Sequence, residues 1–226
     1  MKKDRHISSY LAATIALAAF LVYLPALQND FVYWDDNLYI FENANIRSLD
    51  AAFFRWAFFG FHVSNWHPLT WISHAVDYAL WGLNPLGHHL TSIILHAVNT
   101  ALVILLAVKL LETARERSTR NGAASFLNDR TVLIAAGVTG LLFGIHPVHV
   151  ESVAWVSERK DLLCALFFLL SIMEYTKYLV SWNSGTRSQE PEGSRGDETG
   201  RRNLQSETSI TQFGDGERNT GRRLAQ

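Results

Sequence analysis

Residues 10–27 read YLAATIALAAFLVYLPAL and contain no charged side chain. At about 1.5 Å per residue, a helix of this length just crosses a hydrocarbon core of about 30 Å. Lys2, Lys3 and Arg5 precede the stretch, as in a signal peptide, but no small-x-small cleavage site follows it and further apolar stretches come later. The stretch therefore predicts a first, uncleaved membrane span.

Three further apolar stretches predict spans of their own. They cover residues 89–111, 131–145 and 162–180. The middle one of these is short, and Gly137, Gly140 and Gly144 give it a face of small residues suited to close helix packing. The predicted fold class is therefore all-α: a multi-pass transmembrane helical protein with about four spans.

The charges between the spans predict the orientation of the chain. Residues 109–130 carry five basic side chains and the N-terminus three, whereas residues 28–88 carry six acidic and two basic ones. Because basic residues concentrate in cytoplasmic loops, we expect the N-terminus and the C-terminal tail to be cytoplasmic. The loop 28–88 and the loop 146–161 then lie together on the exoplasmic side.

Aromatic residues are dense in the predicted exoplasmic loop 28–88. Six of the eleven residues from 51 to 61 are Phe or Trp. This density predicts short helices that lie in the membrane interface, where aromatic rings sit at the headgroup level. Burial against the spans is the alternative, and both arrangements hold the loop at the membrane surface.

The C-terminal segment 181–226 differs from the rest of the chain. The whole chain is 48% hydrophobic, but this segment has six hydrophobic residues beside seven glycines, seven arginines and seven acids. It is predicted to be a disordered polar tail. Over the whole chain, 20 Lys and Arg balance 21 Asp and Glu, so the basic excess typical of nucleic-acid binding is absent. The single cysteine, Cys164, excludes a disulfide scaffold.

Asp35 and Asp36 form the first candidate site, a few residues beyond the first span. Two adjacent carboxylates at a membrane face can take a proton from an acceptor hydroxyl or hold a divalent cation. An exposed acidic turn, or an N-cap of a helix that follows, is the alternative explanation of the pair.

A polar stripe runs along the second predicted span. His89, Ser92, His96 and Asn99 follow an i, i+3, i+7, i+10 spacing, which places them on one helical face. Polar groups at membrane depth face a bundle interior or a wet cavity. Hydrogen bonding between helices, without a catalytic role, is the alternative interpretation.

His146, His149 and Glu151 offer two imidazoles and a carboxylate to a metal ion. Pro147 interrupts the helix that would pair the two histidines, and no HExxH or paired-cysteine pattern accompanies them. We therefore assign no metal ligands and no cofactor, and a divalent cation is left as an open alternative.

Arg159 and Lys160 lie at the exoplasmic mouth of the fourth predicted span, where they can clamp a lipid phosphate. Snorkelling of two cations at a helix end is the alternative. Their loop is distant in sequence from Asp35 and Asp36 but is predicted to lie on the same membrane face. A base and a phosphate clamp on one face predict transfer chemistry at the exoplasmic interface.

Four stretches taken together resemble the N-terminal membrane part of the TMTC family, the transmembrane and tetratricopeptide-repeat O-mannosyltransferase-like proteins. The stretches are 31–36 (FVYWDD), 65–71 (NWHPLTW), 82–90 (GLNPLGHHL) and 146–161 (HPVHVESVAWVSERKD). The resemblance covers roughly residues 10–180 and includes the bacterial relatives of the family. We expect a bacterial-type member, in a bacterial inner membrane rather than an endoplasmic reticulum membrane.

This resemblance implies a GT-C glycosyltransferase that passes a sugar, mannose foremost, from a polyprenyl-phosphate donor to a Ser or Thr hydroxyl of a protein. The expected partners are the lipid-linked sugar, the protein acceptor and the lipid bilayer. In that family the acidic pair of the first exoplasmic loop is regarded as catalytic, and it maps onto Asp35 and Asp36. By position and charge, the residues expected to bind the donor phosphate or substrate are Arg159, Lys160, His67, His146 and His149.

The sequence also departs from the family pattern, because family members continue through more spans and a run of tetratricopeptide repeats. The expectation is therefore a partial enzyme. Two other functions are left open: a non-catalytic membrane scaffold and a histidine-rich, metal-handling membrane protein.

Overall fold

A computed structural model describes residues 2–120 and 127–187, with side chains for residues 6–120 and 127–182. Within these ranges every regular element is helical, apart from an isolated bridge between His62 and Asn65. The α-helices are α1 (Lys2–Tyr23), α2 (Ala51–Phe59), α3 (Pro68–Trp81), α4 (Pro85–Arg120), α5 (Asp129–Ile145), α6 (His149–Ala154) and α7 (Arg159–Arg187).

Three helical segments are long and apolar enough to cross a membrane. They are His6–Gln28, Pro85–Arg120 and Val156–Trp182, and they cover the first, second and fourth predicted spans. The chain is thus an all-α, multi-pass membrane protein, as predicted. The third predicted span is α5, which has only 17 residues. Its length of about 25 Å is at the lower limit for a span, and it returns the chain to the side of the cap, where Ser157 contacts Asp36.

The bundle consists of α1, α4 and α5, which pack against one another. The predicted small-residue face of α5 lies in this contact. A Cβ atom on Gly140 would overlap the side chain of Ile104, and one on Gly144 would lie 2.9 Å from Cγ2 of Thr100. Glycine therefore allows α4 and α5 to approach closely. The buried core of the bundle contains Ala12, Ile15, Ile104, Val108, Val132 and Ala136.

The cap is formed by residues 29–81 together with residues 146–158. Its buried core contains Tyr39, Ile40, Ile46, Phe53, Ala57, Trp71, Ala75 and Val156. In α2, Phe53 and Ala57 face this core, whereas Phe59 is 83% exposed. The aromatic stretch therefore combines the two predicted arrangements, with one side packed inward and the other left at the surface.

The helix α7 begins at Arg159 and continues to Arg187, seven residues past the predicted end of the fourth span. The chain divides into two units after Glu174, and residues 175–187, the end of α7, are the described part of the second unit. The remainder of the predicted polar tail, residues 188–226, lies outside the described residues.

Candidate active site

Asp36 joins the two parts of the cap. Its side chain is fully buried. Its Oδ1 accepts hydrogen bonds from the Ser157 backbone N–H at 2.9 Å and from the Ser157 hydroxyl. Its Oδ2 accepts one from the Val32 backbone N–H at 2.9 Å. The carboxylate does not cap the turn that follows it, so the alternative of a helix N-cap is wrong for Asp36.

Asp35 has a different environment from its neighbour. Its side chain is half-buried, and within the described ranges its carboxylate accepts no hydrogen bond. Its negative charge acts on Tyr39, whose ring belongs to the cap core. The two adjacent carboxylates are therefore not equivalent: one is held on both oxygens and the other has its acceptor positions available.

Tyr39 lies at the centre of a polar group on the cap. Its hydroxyl accepts a hydrogen bond of 2.9 Å from Nδ2 of Asn65. Burial raises the pKa of Tyr39, and the negative charges of Asp35 and Glu158 act in the same direction, whereas Lys160 and the bond from Asn65 lower it. Charges from both parts of the cap thus meet at this ring.

Lys160 and His67 belong to the same group. The Lys160 ammonium donates a 2.6 Å hydrogen bond to Oε1 of Glu158 and is half-buried. Burial lowers the pKa of His67, and the positive charge of Lys160 lowers it further. We call Asp35, His67, Glu158 and Lys160 the Tyr39 patch, because the charges of Asp35, Glu158 and Lys160 act on Tyr39 and those of Glu158 and Lys160 act on His67.

Arg159 does not reach the surface. Its side chain is fully buried, with Nη1 donating to Oδ2 of Asp77 and, at 3.2 Å, to the Ser73 hydroxyl. Its Nη2 donates to the His88 carbonyl at 2.6 Å, and its Nε lies 3.4 Å from the Ser92 hydroxyl. The structure thus separates the two predicted clamp cations. A lipid phosphate would have to displace Asp77 to reach Arg159.

A buried group of His74, Asp77 and His88 adjoins this ion pair. One potential ligand atom from each lies within 4.8 Å of the others. Within the described chain, both ring nitrogens of His74 and Nδ1 of His88 lack a hydrogen-bond partner. Burial lowers the pKa of His74 well below its ordinary value, and the charge of Arg159 acts in the same direction.

The polar stripe of α4 faces the protein interior. All four of its residues are buried: His89, Ser92, His96 and Asn99. Nε2 of His96 lies 2.9 Å from the Gly144 carbonyl, and Nδ2 of Asn99 donates to the Leu162 carbonyl at 2.9 Å. The stripe thus links α4 to α5 and α7 through hydrogen bonds. This agrees with the alternative interpretation from the sequence, in which these residues form hydrogen bonds between helices.

His146 and His149 lie apart from the Tyr39 patch. His146 is exposed after the end of α5, and the half-buried ring of His149 packs 5.4 Å from the ring of His96 and 4.6 Å from that of Phe143. Burial lowers the pKa of His149, and the nearby His146 adds to this effect. Within the described ranges, no hydrogen bond, ion pair or ring contact joins either histidine to the Tyr39 patch.

An open groove of about 460 Å³ borders the acidic pair. Its walls are mainly hydrocarbon, and the residues that line it are Asn29, Val32, Trp34, Val150, Glu151, Ala154 and Trp155. Val32 donates to Asp36, and Trp34 directly precedes Asp35. The groove therefore runs from the acidic pair along α6.

Several residues of this region were not singled out from the sequence. His74 and Asp77 have a usable signal, because a spacing of three residues in an amphipathic helix places them on one face. No sequence signal identifies Ser157 or Tyr39, since their positions in the site depend on long-range contacts. Ser157 lies 121 residues from Asp36 in the chain.

Known proteins resemble this chain over most of its length. Protein O-mannosyl-transferase Tmtc1 of Drosophila melanogaster is 33% identical over 184 residues, which cover 77% of this chain and 19% of that protein. Human protein O-mannosyl-transferase TMTC4 is 34% identical over 172 residues, 72% of this chain and 22% of that protein. Human protein O-mannosyl-transferase TMTC1 is 32% identical over 179 residues, which cover 74% of this chain and 18% of that protein.

The chain spans about a fifth of the length of these curated relatives. No family model matches the chain, and no solved structure matches it. The similarity to TMTC O-mannosyl-transferases is thus a similarity of sequence over about three quarters of this chain.

Proposed function

We propose that this chain carries the acidic site of a membrane glycosyltransferase of the GT-C superfamily. In this proposal a sugar, mannose foremost, passes from a polyprenyl-phosphate donor to a Ser or Thr hydroxyl of a protein. The similarity to proteins named protein O-mannosyl-transferase supports the reaction class. The observation that carries the proposal is the junction of Asp36 with Ser157, which sets the acidic pair beside the segment that bears Lys160.

We assign the role of proton acceptor to Asp35. The three donors on Asp36 occupy both of its oxygens and hold it in place, whereas Asp35 has acceptor positions available beside it. As the acceptor oxygen attacks the anomeric carbon, its proton passes to Asp35. The bond from that carbon to the phosphate oxygen breaks, and the lipid phosphate leaves with the electron pair. The anomeric configuration is inverted.

We assign the stabilisation of the leaving phosphate to Lys160 and His67. Both belong to the Tyr39 patch together with Asp35. The Lys160 ammonium stands on a flexible side chain and can bind a phosphate in place of Glu158. His67 can donate a hydrogen bond to the same phosphate. Arg159 is assigned a supporting position beneath the patch, because its guanidinium is engaged by Asp77. A direct phosphate contact by Arg159 is the competing proposal.

The groove beside the acidic pair suits the isoprenoid chain of the donor, since its walls are mainly hydrocarbon. His149 directly precedes the groove residues Val150 and Glu151, so we assign His146 and His149 to contacts with the substrate away from its phosphate. The site would work at the exoplasmic face of a bacterial inner membrane, with an endoplasmic reticulum membrane as the alternative and both termini in the cytoplasm.

The proposal is tested by transfer of mannose from polyprenyl-phosphate mannose to a Ser- and Thr-containing peptide. The assay uses membranes that contain the full chain, and in parallel a full-length relative with the equivalent substitutions. We expect Asp35→Asn to lower kcat by at least about 100-fold, as for loss of a general base. Asp30→Asn is the matched control, because Asp30 is an exposed carboxylate of the same segment.

Transfer that survives Asp35→Asn, Asp36→Asn and the double substitution would contradict the catalytic assignment. It would favour a non-catalytic scaffold. A loss with Asp36→Asn alone would instead exchange the two roles.

A further inference from the structure

His74, Asp77 and His88 form a cluster that the proposed transfer does not use. His74 and Asp77 lie three residues apart on α3, and His88 lies near the start of α4. All three side chains are buried, and one ligand atom from each lies within 4.8 Å of the others. The cluster therefore sits where two helices of different parts of the fold meet.

The hydrogen bond of His88 fixes where its lone pair points. Nε2 lies 3.0 Å from the Gly82 carbonyl oxygen. A carbonyl only accepts, so Nε2 carries the hydrogen and Nδ1 of the neutral ring carries a lone pair. Nδ1 lies 3.6 Å from Oδ2 of Asp77. In the neutral ring both atoms carry lone pairs, so a metal ion bound to both would bring them together favourably.

His74 adds a third donor atom at this point. Its ring is fully buried and lies 6.5 Å from the ring of His88, centroid to centroid. Neither of its nitrogens has a hydrogen-bond partner within the described chain, although buried polar groups in proteins are nearly always paired. A neutral imidazole always presents one lone pair, which is the form that binds metals.

The buried charges near the cluster favour a cation. Asp36 and Asp77 are buried carboxylates, and Arg159 is a buried guanidinium that pairs with Asp77. The charge of Asp36 acts on both His88 and Arg159. Two negative charges and one positive charge leave a net negative charge away from water, which is costly unless it is compensated.

Asp77 has the capacity for an additional ligand. Its Oδ1 accepts a 2.7 Å hydrogen bond from the Thr91 hydroxyl, and its Oδ2 accepts from Arg159. A carboxylate offers about four acceptor positions, so about two are left for a metal ion. The ion pair with Arg159 and a metal bond are therefore compatible.

We propose that His74, Asp77 and His88 bind one zinc ion, which ties α3 to α4 beneath the acidic pair. Two imidazoles and one carboxylate are a zinc donor set, whereas magnesium and calcium prefer oxygen ligands. The three side chains fill three positions of a tetrahedron and leave the fourth for water. The site is distinct from His146, His149 and Glu151, which the sequence offers as a metal motif.

The first test measures zinc in the full chain, purified in detergent, stripped with a chelator and dialysed against Zn²⁺. We expect about one zinc per chain by elemental analysis, and at least about tenfold weaker binding in the double variant His74→Asn/His88→Asn. The matched control is His146→Asn/His149→Asn, which also removes two histidines and should keep the zinc. No bound zinc, or zinc lost only from the control variant, would overturn the proposal.

A second measurement keeps the test independent of folding in the variants. Co²⁺ added to the unmodified, stripped chain should give the visible d–d absorption of a tetrahedral site with nitrogen and oxygen ligands. Cys164 is exposed on α7, and a sulfur-to-cobalt charge-transfer band would place the metal there instead. Octahedral, weakly absorbing Co²⁺ would also overturn the proposal.

Discussion

The bundle and the cap are stabilised in different ways. The bundle is stabilised by packing of aliphatic side chains against glycine and alanine residues of α1, α4 and α5. The cap also has an apolar core, but a few buried charges with defined partners join its parts to each other and to the first residue of α7; these charges are Asp36, Asp77 and Arg159. The largest effects of single substitutions should therefore fall on these buried charges, whereas effects in the bundle should follow the local fit of the side chains.

The largest expected effect is that of Arg159→Met. The substitution leaves the carboxylate of Asp77 buried without its guanidinium, which costs about 3–5 kcal/mol of unfolding free energy. Equilibrium unfolding in mild detergent with added SDS, in the presence of a chelator, measures the loss.

The double variant Arg159→Met/Asp77→Leu is the control for this loss. Replacing both members of a buried ion pair by apolar residues is often neutral, so most of the stability should return. If the double variant is as unstable as Arg159→Met, the guanidinium acts through its bonds to Ser73 and the His88 carbonyl and not through Asp77.

The next effect separates the two adjacent carboxylates. Asp36→Ala leaves the Ser157 N–H, the Ser157 hydroxyl and the Val32 N–H without their acceptor, at a cost of about 1–3 kcal/mol. Asp35→Ala removes no hydrogen bond of the described chain and should stay within about 0.5 kcal/mol of the parent. Equal losses in the two variants, by the same unfolding measurement, would remove the distinction between a structural and an available carboxylate.

In the bundle the expected effect comes from close helix packing. A methyl group on Gly140 overlaps Ile104, so Gly140→Ala should destabilise by about 1–3 kcal/mol through overpacking. Gly137 is its matched control, because a Cβ there meets only Leu11 and Ile15, at 3.7 Å. Gly137→Ala should be neutral or stabilising by up to about 1 kcal/mol, since alanine is the better helix former. Thermal unfolding that ranks the two variants in the opposite order would refute this packing.

The same contrast explains what sequence could predict. Helix spacing and apolar length are local properties, and they were sufficient for α1, α4, the glycine face of α5 and the buried stripe from His89 to Asn99. The shortness of α5 was also visible in the sequence.

The cap depends on long-range pairing, which a local pattern does not contain. The sequence indicated that Asp36 and the loop 146–161 share a membrane face, but not that Ser157 is the partner. Arg159 and Lys160 are adjacent cations and look equivalent in sequence. Only the position of Asp77, 82 residues away from Arg159, draws one of them into the interior.

The smallest expected effect tests the surface of the cap through pH. Burial and the charge of Lys160 hold the pKa of His67 below its ordinary value of about 6.5. The unfolded chain therefore binds more protons than the folded one, so this contribution to stability is present above about pH 6.5 and is lost as the pH falls below it.

His67→Gln should flatten the pH dependence of the unfolding midpoint between about pH 8 and pH 5. The substitution breaks no helix cap, since the His67 side chain makes no capping hydrogen bond. His6→Gln, an exposed histidine in α1, should leave the dependence unchanged. A slope that is the same in the parent and in His67→Gln would show that burial and Lys160 together do not lower the pKa of His67.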